Sequence, residues 1–346
     1  QAEDGIRDRS PSRGLGDVYK RQTQDLIKEY GEVIHDASYI TDNESDIISV
    51  GPKLDIALGG GVPEGSLFIM TGPEKVGKTV TALTFCSNAQ QKKRKVYYGN
   101  IEGRLKPRDL NGIAGLDQGN EAMKLIGSSQ GNILSAEGYL SIFDRIIHTE
   151  PHTVCVVDSF SALSSEAELK GDLTDTQVMS VQKTLSKWCR KISNVLPINK
   201  VTVVGITHLM ANVSSFGRGK SKVEKSGSAL KYQTDVKLYA THSQALMQND
   251  TQIGQTIHWK IETSAIGPPG QKVESHIKYG RGIWKEMELA DLMVDFGIAS
   301  KAGAWIKLPN GEKVQGKNNL AKFLEENPDQ YAEFEKEVFD TVGIEK

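Results

Sequence analysis

The sequence predicts an α/β protein: a mostly parallel, twisted sheet with helices on both faces, an antiparallel extension, a small N-terminal helix and a small C-terminal α/β lobe. Three observations predict it. Short apolar runs, Ser66–Met70, Lys95–Ile101, Thr153–Val157 and Lys200–Ile206, recur with helix-like stretches between them, the pattern of a parallel sheet buried on both sides. Between Asp175 and Leu196, residues Val178, Val181, Leu185, Trp188, Ile192 and Val195 alternate spacings of three and four, the stripe of an amphipathic helix. After Ser226, the runs Asp235–Thr241, Thr256–Thr263 and Glu274–Tyr279 follow one another through short polar loops, as antiparallel strands do.

Taken in order, residues 1–22 stand apart. They mix five Arg/Lys with four acids, lack an initiator Met and show neither helical nor strand period. They read as translated adapter sequence rather than as part of the fold, the alternative being a basic arm; either reading makes the segment disordered or loosely packed. Residues 23–50 carry a helix and a linker: Leu26, Ile27, Tyr30, Val33 and Ile34 share one helical face, and polar Thr41–Asp46 follows. On the sequence alone this helix either folds back on its own core or docks on a partner. Residues 51–283 hold the sheet. Residues 284–346 form the small lobe, with helices expected over Glu286–Phe296, Asn318–Glu326 and Gln330–Val342 around a Gly-punctuated unit.

Composition narrows the partners. Of 346 residues 38% are hydrophobic, and no apolar run approaches the roughly 20 residues of a membrane-spanning helix, so no membrane partner is expected. The net charge of −2 lacks the basic excess of a chain that binds nucleic acid through its overall charge, which leaves a local basic loop as the remaining route. Cys86, Cys155 and Cys189 are too far apart for a metal cluster; they read as reduced core residues of a cytoplasmic protein.

Chemistry concentrates in one loop. Gly72, Pro73, Glu74, Lys75, Val76, Gly77, Lys78 and Thr79 spell GxxxxGKT between a strand, Ser66–Thr71, and a helix that starts at Val80. Backbone N–H groups of such a loop cradle phosphates, aided by the helix N-terminus. Lys78 would reach the β/γ-phosphates of ATP and Thr79 would place its hydroxyl on Mg²⁺. A second anchor, Asp158 followed by Ser159, ends the apolar run from Val154 and would hold the water shell of the ion. Glu102, at the end of Lys95–Ile101, either polarises the attacking water or is a solvated strand-end carboxylate; position alone leaves both open.

Several stretches together resemble the RecA-type DNA strand-exchange recombinases: Leu54-Asp-Ile-Ala-Leu-Gly-Gly-Gly, the GPEKVGKT loop, the run 156–172, Gly205-Ile-Thr-His208 and Lys301-Ala-Gly-Ala-Trp305. The likeness runs from about Asp25 to Val342, towards the bacterial and phage UvsX-like branch. It implies a RecA-like ATPase core and an enzyme that filaments on single-stranded DNA, pairs it with homologous duplex DNA and hydrolyses ATP as strands exchange. It makes Glu102 the catalytic glutamate, His208 the γ-phosphate sensor and the Leu26–Ile34 helix the segment that docks on the next protomer. The loop Leu209–Ser228, with Phe216, Arg218, Lys220, Lys222, Lys225 and Gly227, becomes the main DNA-binding loop, and Glu166–Thr176, with Lys170, a shorter one. Single-strand-binding and loader proteins are further implied partners.

The match departs in two places. Where the family packs an aromatic on adenine, this chain has Arg108 and Asp109. Where bacterial members send two basic residues into the neighbour's ATP, it has Glu262-Thr263-Ser264-Ala265. A K⁺ ion held by Glu262 at the protomer interface is expected to replace them, or else Lys260 or Lys272 in a shifted register. The rival readings are a non-catalytic ATP-gated DNA-binding paralogue and a hexameric helicase on the same core; the KAGAW unit and the docking helix fit the helicase family poorly.

Overall fold

The structure, a computed structural model, describes residues 13–31, 33–39, 44–171, 180–211, 222–224 and 229–345. It divides into two units, Gln1–Glu44 and Ser45–Lys346.

The first unit is built on helix α1, Arg13–Tyr30. Leu15, Tyr19, Leu26 and Tyr30 recur at one-turn and two-turn intervals, so the helical period runs straight through position 22. The described part of the supposed adapter segment, from Arg13 on, is therefore helical rather than irregular; residues 1–12 lie outside the described residues. The helix stops at Gly31, whose φ of +83° suits the left-handed residue after a last turn, and not at Ile34.

In the second unit a two-stranded ribbon, β1 (Ile47–Ile48) with β2 (Val62–Pro63), flanks helix α2 (Pro52–Leu58). Strand β3 (Leu67–Gly72) leads through the phosphate loop into α3 (Lys78–Gln91) and β4 (Lys95–Asn100). Then come α4 (Pro107–Asn111), β5 (Met123–Ile126), α5 (Ala136–Thr149), β6 (Thr153–Asp158) and α6 (Glu166–Lys170). Helices α7 (Ser180–Ile192) and α8 (Val195–Asn199) precede β7 (Thr202–Ala211) and β8 (Lys222–Glu224). After α9 (Ala229–Gln233), strands β9 (Val236–Gln248), β10 (Thr251–Thr263), β11 (Lys272–Lys278) and β12 (Gly282–Ile283) complete the sheet.

The sheet order is β12-β11-β10-β9-β3-β7-β6-β4-β5, with β8 on the end of β7. From β9 to β5 every pairing is parallel, while β10, β11 and β12 add the expected antiparallel extension. Alternation decides which side each residue faces. Phe68 and Met70 of β3 pack with Leu83, Phe85 and Cys86 of α3, whereas Leu67 and Ile69 join Phe143 of α5 and Trp188 of α7. Both faces are thus buried, and the four apolar runs read from the sequence are the central strands.

Three strands outrun their sequence signal. β9 and β10 form one long hairpin turned at Asn249 and Asp250, whose φ values of 47° and 59° match a two-residue turn of mirror-image type. Its outer half, rich in Gln, offers only the short apolar run Ala245-Leu-Met247 to read. β7 likewise continues past His208 and pairs with β8, so the segment expected to be a loop from Leu209 begins as a ribbon.

The C-terminal lobe joins α10 (Lys285–Asp295), α11 (Gly316–Glu326) and α12 (Pro328–Thr341) to a three-stranded antiparallel sheet, β13 (Ser300–Ala302), β14 (Trp305–Lys307) and β15 (Lys313–Gln315). Its own core holds Leu289, Met293, Ile306, Leu320, Phe334 and Val338. Lys301-Ala-Gly-Ala-Trp305 forms its first hairpin. A buried polar network ties the lobe to the sheet: Asp291 bonds Lys53 at 2.5 Å, His276 at 2.9 Å and Lys317 at 2.5 Å. Beside it, Glu288 accepts from Ser275 at 2.5 Å and from the Lys53 amide at 3.1 Å. All three cysteines are free and buried, and among the described residues no helix is long and apolar enough to cross a membrane.

Candidate functional site

Register places the candidate residues on one edge. β4 and β6 pair Asn100 with Asp158, and β3 and β7 pair Gly72 with His208, so the carboxyl ends of four adjacent parallel strands open towards the same crevice. That is where open α/β sheets bind ligands.

The phosphate loop is shaped by packing as much as by its own turn. Gly77 has φ +106°, and a Cβ there would meet Ile277 Cδ1 at 2.6 Å and Ile257 Cδ1 at 2.7 Å, so only glycine fits. Val76 is buried, Glu74 and Lys75 are exposed, Pro73 is half-buried, and Val80 packs on the core under α3. Lys78 is 4% exposed, its Nζ donating to the Gly72 carbonyl at 2.9 Å and the Pro73 carbonyl at 2.5 Å. Burial pulls its ammonium down to about 8, against the charges of Asp158, Glu102 and Glu74.

Asp158 closes the other side. Its Oδ2 accepts from Thr79 Oγ1 at 3.0 Å and from the buried Tyr98 hydroxyl at 2.6 Å. Burial raises the Asp158 carboxyl, and these two donors oppose the rise. The hydroxyl and the carboxylate together fit Mg²⁺, which takes one or two protein oxygens and completes its shell with water and phosphate. Among the described residues no group of three or more His, Cys, Asp or Glu side chains is placed to hold a metal.

Glu102 is bound into the same crevice. Its Oε1 accepts from Ser159 Oγ at 2.6 Å and lies 2.8 Å from His208 Nε2. Burial would raise its carboxyl, but the hydrogen bonds from Ser159 and His208 outweigh it and hold the group below the ordinary carboxylate range. A carboxylate only accepts, so Nε2 of His208 carries the proton. Its Nδ1 is buried and has no partner among the described residues. The His208 amide donates to Ser161 Oγ at 2.8 Å, fixing the end of β7 against the turn that follows Asp158. Arg104, well exposed, lies 3.7 Å from the second Glu102 oxygen.

Lys78, Thr79, Asp158, Ser159, Glu102 and His208 are thus in one connected cluster. Sequence reasoning missed Tyr98, Ser161 and Arg104; only Ser161 carried a signal, as a hydroxyl two residues after Ser159. The DNA candidates are placed only in part. Lys170 ends α6, exposed and paired with Glu166 at 2.5 Å; α6 starts with a capping box in which the Ser165 and Glu168 side chains bond each other's backbone N–H. Lys222 opens β8, opposite Ala211. Phe216, Arg218, Lys220, Lys225 and Gly227 lie outside the described residues. Arg108, at the expected adenine position, is exposed beside Asp109. Glu262 pairs with the buried Lys237 at 3.1 Å, so within the protomer this carboxylate already has a cation.

Compared with known proteins, residues 22–284 match the RecA N-terminal domain and residues 287–343 the RecA C-terminal domain. "Protein RecA" of Streptomyces venezuelae is 32% identical over 306 residues, covering 88% of this chain and 79% of its own length. The protein of the same name from a Nocardioides species is 30% identical over 341 residues, covering 98% of this chain and 93% of its own. That of Cutibacterium acnes is 31% identical over 292 residues, with coverages of 84% and 81%.

Proposed function

The chain belongs to the RecA family of ATP-dependent homologous recombinases, and from that membership we propose how its residues divide the work. As a family member it binds DNA, assembles into filaments and couples ATP hydrolysis to strand exchange. The loop Gly72–Thr79 takes the triphosphate, with Lys78 leaving its own loop carbonyls for the β/γ-phosphates. Thr79 and Asp158 hold Mg²⁺, which when bound neutralises phosphate charge. Glu102 orients the attacking water through the oxygen not engaged by Ser159 and His208.

One observation supports this reading above the others: a charged Glu102 carboxylate bonded at once to Ser159, next to Asp158, and to His208, next to the DNA loop. Such a carboxylate is fixed in direction and polarity before substrate arrives. His208 links it in sequence to Leu209–Ser228, so a shift of that loop on DNA would move the water-orienting group. In this scheme Lys222, Arg218, Lys220 and Lys225 contact phosphates, Phe216 stacks on bases, and Lys170 leaves Glu166 for the backbone of DNA. The helix α1 region docks on the next protomer, with the core unit beginning at Ser45 rather than after residue 50 and the C-terminal lobe at residue 284.

Finer placements belong to the same proposal: a bacterial cytoplasm or a phage UvsX-like origin, loader and single-strand-binding partners, and K⁺ at Glu262. The ion would have to displace Lys237, and turnover in matched potassium, sodium and choline salts tests it; equal rates remove it. The test of the site itself is Glu102→Gln. It should bind ATP as the wild type does and hydrolyse it roughly 100-fold or more slowly, the range for a positioned proton-accepting group. Wild-type turnover in that variant would refute the assignment.

A further inference from the structure

We infer that Tyr98 is a positioning residue for the metal end of the site, its buried hydroxyl holding Asp158 in the orientation that serves Mg²⁺ beside Thr79. The inference rests on the reading of Thr79 and Asp158 as the Mg²⁺ side chains.

Tyr98 lies in β4 with no exposed surface, and its hydroxyl meets Asp158 Oδ2 at 2.6 Å. The register makes this an unusual reach. Tyr98 stands opposite Val156, two residues short of the Asn100–Asp158 pair. At roughly 3.3 Å per residue, the donor must project about 7 Å along the strand direction. A serine or threonine hydroxyl falls short of that distance, and phenylalanine fills the space without a donor. Tyrosine supplies both the length and the O–H, and its ring needs only two torsions fixed. They are fixed by the core it shares with Leu83, Phe85, Cys86 and Val156.

The two donors on Asp158 Oδ2 differ in kind. Thr79 donates at 3.0 Å and is itself an oxygen offered to the ion, so its hydroxyl is shared between carboxylate and metal. The Tyr98 hydroxyl offers nothing to the ion and stays with Asp158 whether or not Thr79 turns. It therefore limits which way the carboxylate presents its second oxygen. Groups that orient a metal-binding side chain in this manner typically matter 10–100-fold to metal affinity.

The variant is Tyr98→Phe, which keeps the ring and removes only the O–H. The measurement is binding of a fluorescent ADP analogue titrated with Mg²⁺, together with binding in excess EDTA and thermal melting without nucleotide. Asp158→Asn is run in parallel. The expected result is a rise of about tenfold in the half-saturating Mg²⁺ concentration for Tyr98→Phe, with affinity in EDTA unchanged and melting lowered only by the loss of one buried hydrogen bond. A purely structural role would instead lower melting and leave the Mg²⁺ requirement where it is in the wild type. An unchanged Mg²⁺ requirement in Tyr98→Phe, with a raised one in Asp158→Asn, overturns the inference and leaves the metal site standing. An unchanged requirement in Asp158→Asn overturns the metal reading beneath it.

Discussion

Lys78 shows how much a single side chain can carry. It is nearly buried, its Nζ donates to the Gly72 and Pro73 carbonyls, and burial brings its ammonium down to about 8. A bound triphosphate favours the charged form and raises that value. Above pH 8 nucleotide binding must then take up a proton, and affinity should fall as pH rises through the window above 8. Calorimetry of ATP-analogue binding at about pH 8.5, just above that value, in two buffers of different ionisation enthalpy checks this. A buffer-dependent heat is expected, and a buffer-independent one contradicts it. At this scale the sequence made legible which residues meet at the strand ends: the phosphate loop and Asp158 from spacing and, through resemblance, Glu102 and His208. Tyr98 was not, because a tyrosine within an alternating strand looks the same whether it packs or donates. What distinguishes it is a cross-strand reach to Asp158 that no linear pattern records.

Among the elements, β7 connects the crevice to the loop proposed to bind DNA. It carries His208 into the crevice and then continues to Ala211, paired with β8. The ribbon puts Lys222 at its margin, with Lys220 two positions before it in the chain. If these lysines bind phosphates, replacing Lys220 and Lys222 with Ala should reduce the slope of log affinity against log salt by about two, one for each phosphate left unneutralised. An unchanged slope for single-stranded DNA would put the DNA path elsewhere. The ribbon escaped sequence reading because Lys222-Val-Glu224 is too short and too polar to show a strand period. The second half of helix α1 was legible at Leu26, Ile27 and Tyr30, but its first half was not: the period was present at Leu15 and Tyr19, and mixed charges around them masked it. The Gln-rich outer half of the β9–β10 hairpin gave only a weak apolar signal, Ala245-Leu-Met247 and Ile253, with the rest of its pairing carried by backbone and turn.

For the whole molecule, the join between sheet and C-terminal lobe is the feature with most at stake. Asp291 is held by Lys53, His276 and Lys317; burial would raise its carboxyl, but these partners keep it far below the ordinary carboxylate range. A carboxyl depressed in the folded state contributes stability above its unfolded value, and that stability is lost as pH falls through the acidic range. Asp291→Ala takes this partner from the half-buried Lys53 and Lys317 and should cost about 2 kcal/mol at neutral pH. Asp291→Asn should flatten the acid limb of the melting curve. Melting followed from about pH 2 to pH 7 checks both, and an unaltered acid limb in Asp291→Asn would contradict the sign argued here. The fold class, the antiparallel extension and the separate lobe were all legible from strand and helix alternation, because a sheet buried on both faces must be written in continuous apolar runs. The network at the join was not legible, since its members come from α2, β11, α10 and α11.

The central claim is that one crevice at the strand ends couples nucleotide turnover to DNA through Glu102 and His208. Its most direct test is ATP turnover with and without single-stranded DNA, with negative-stain imaging of the same samples. The account predicts turnover that rises on adding DNA, helical filaments on the DNA, and filaments that persist without turnover in Glu102→Gln. Turnover indifferent to DNA, or closed rings in place of filaments, would contradict it.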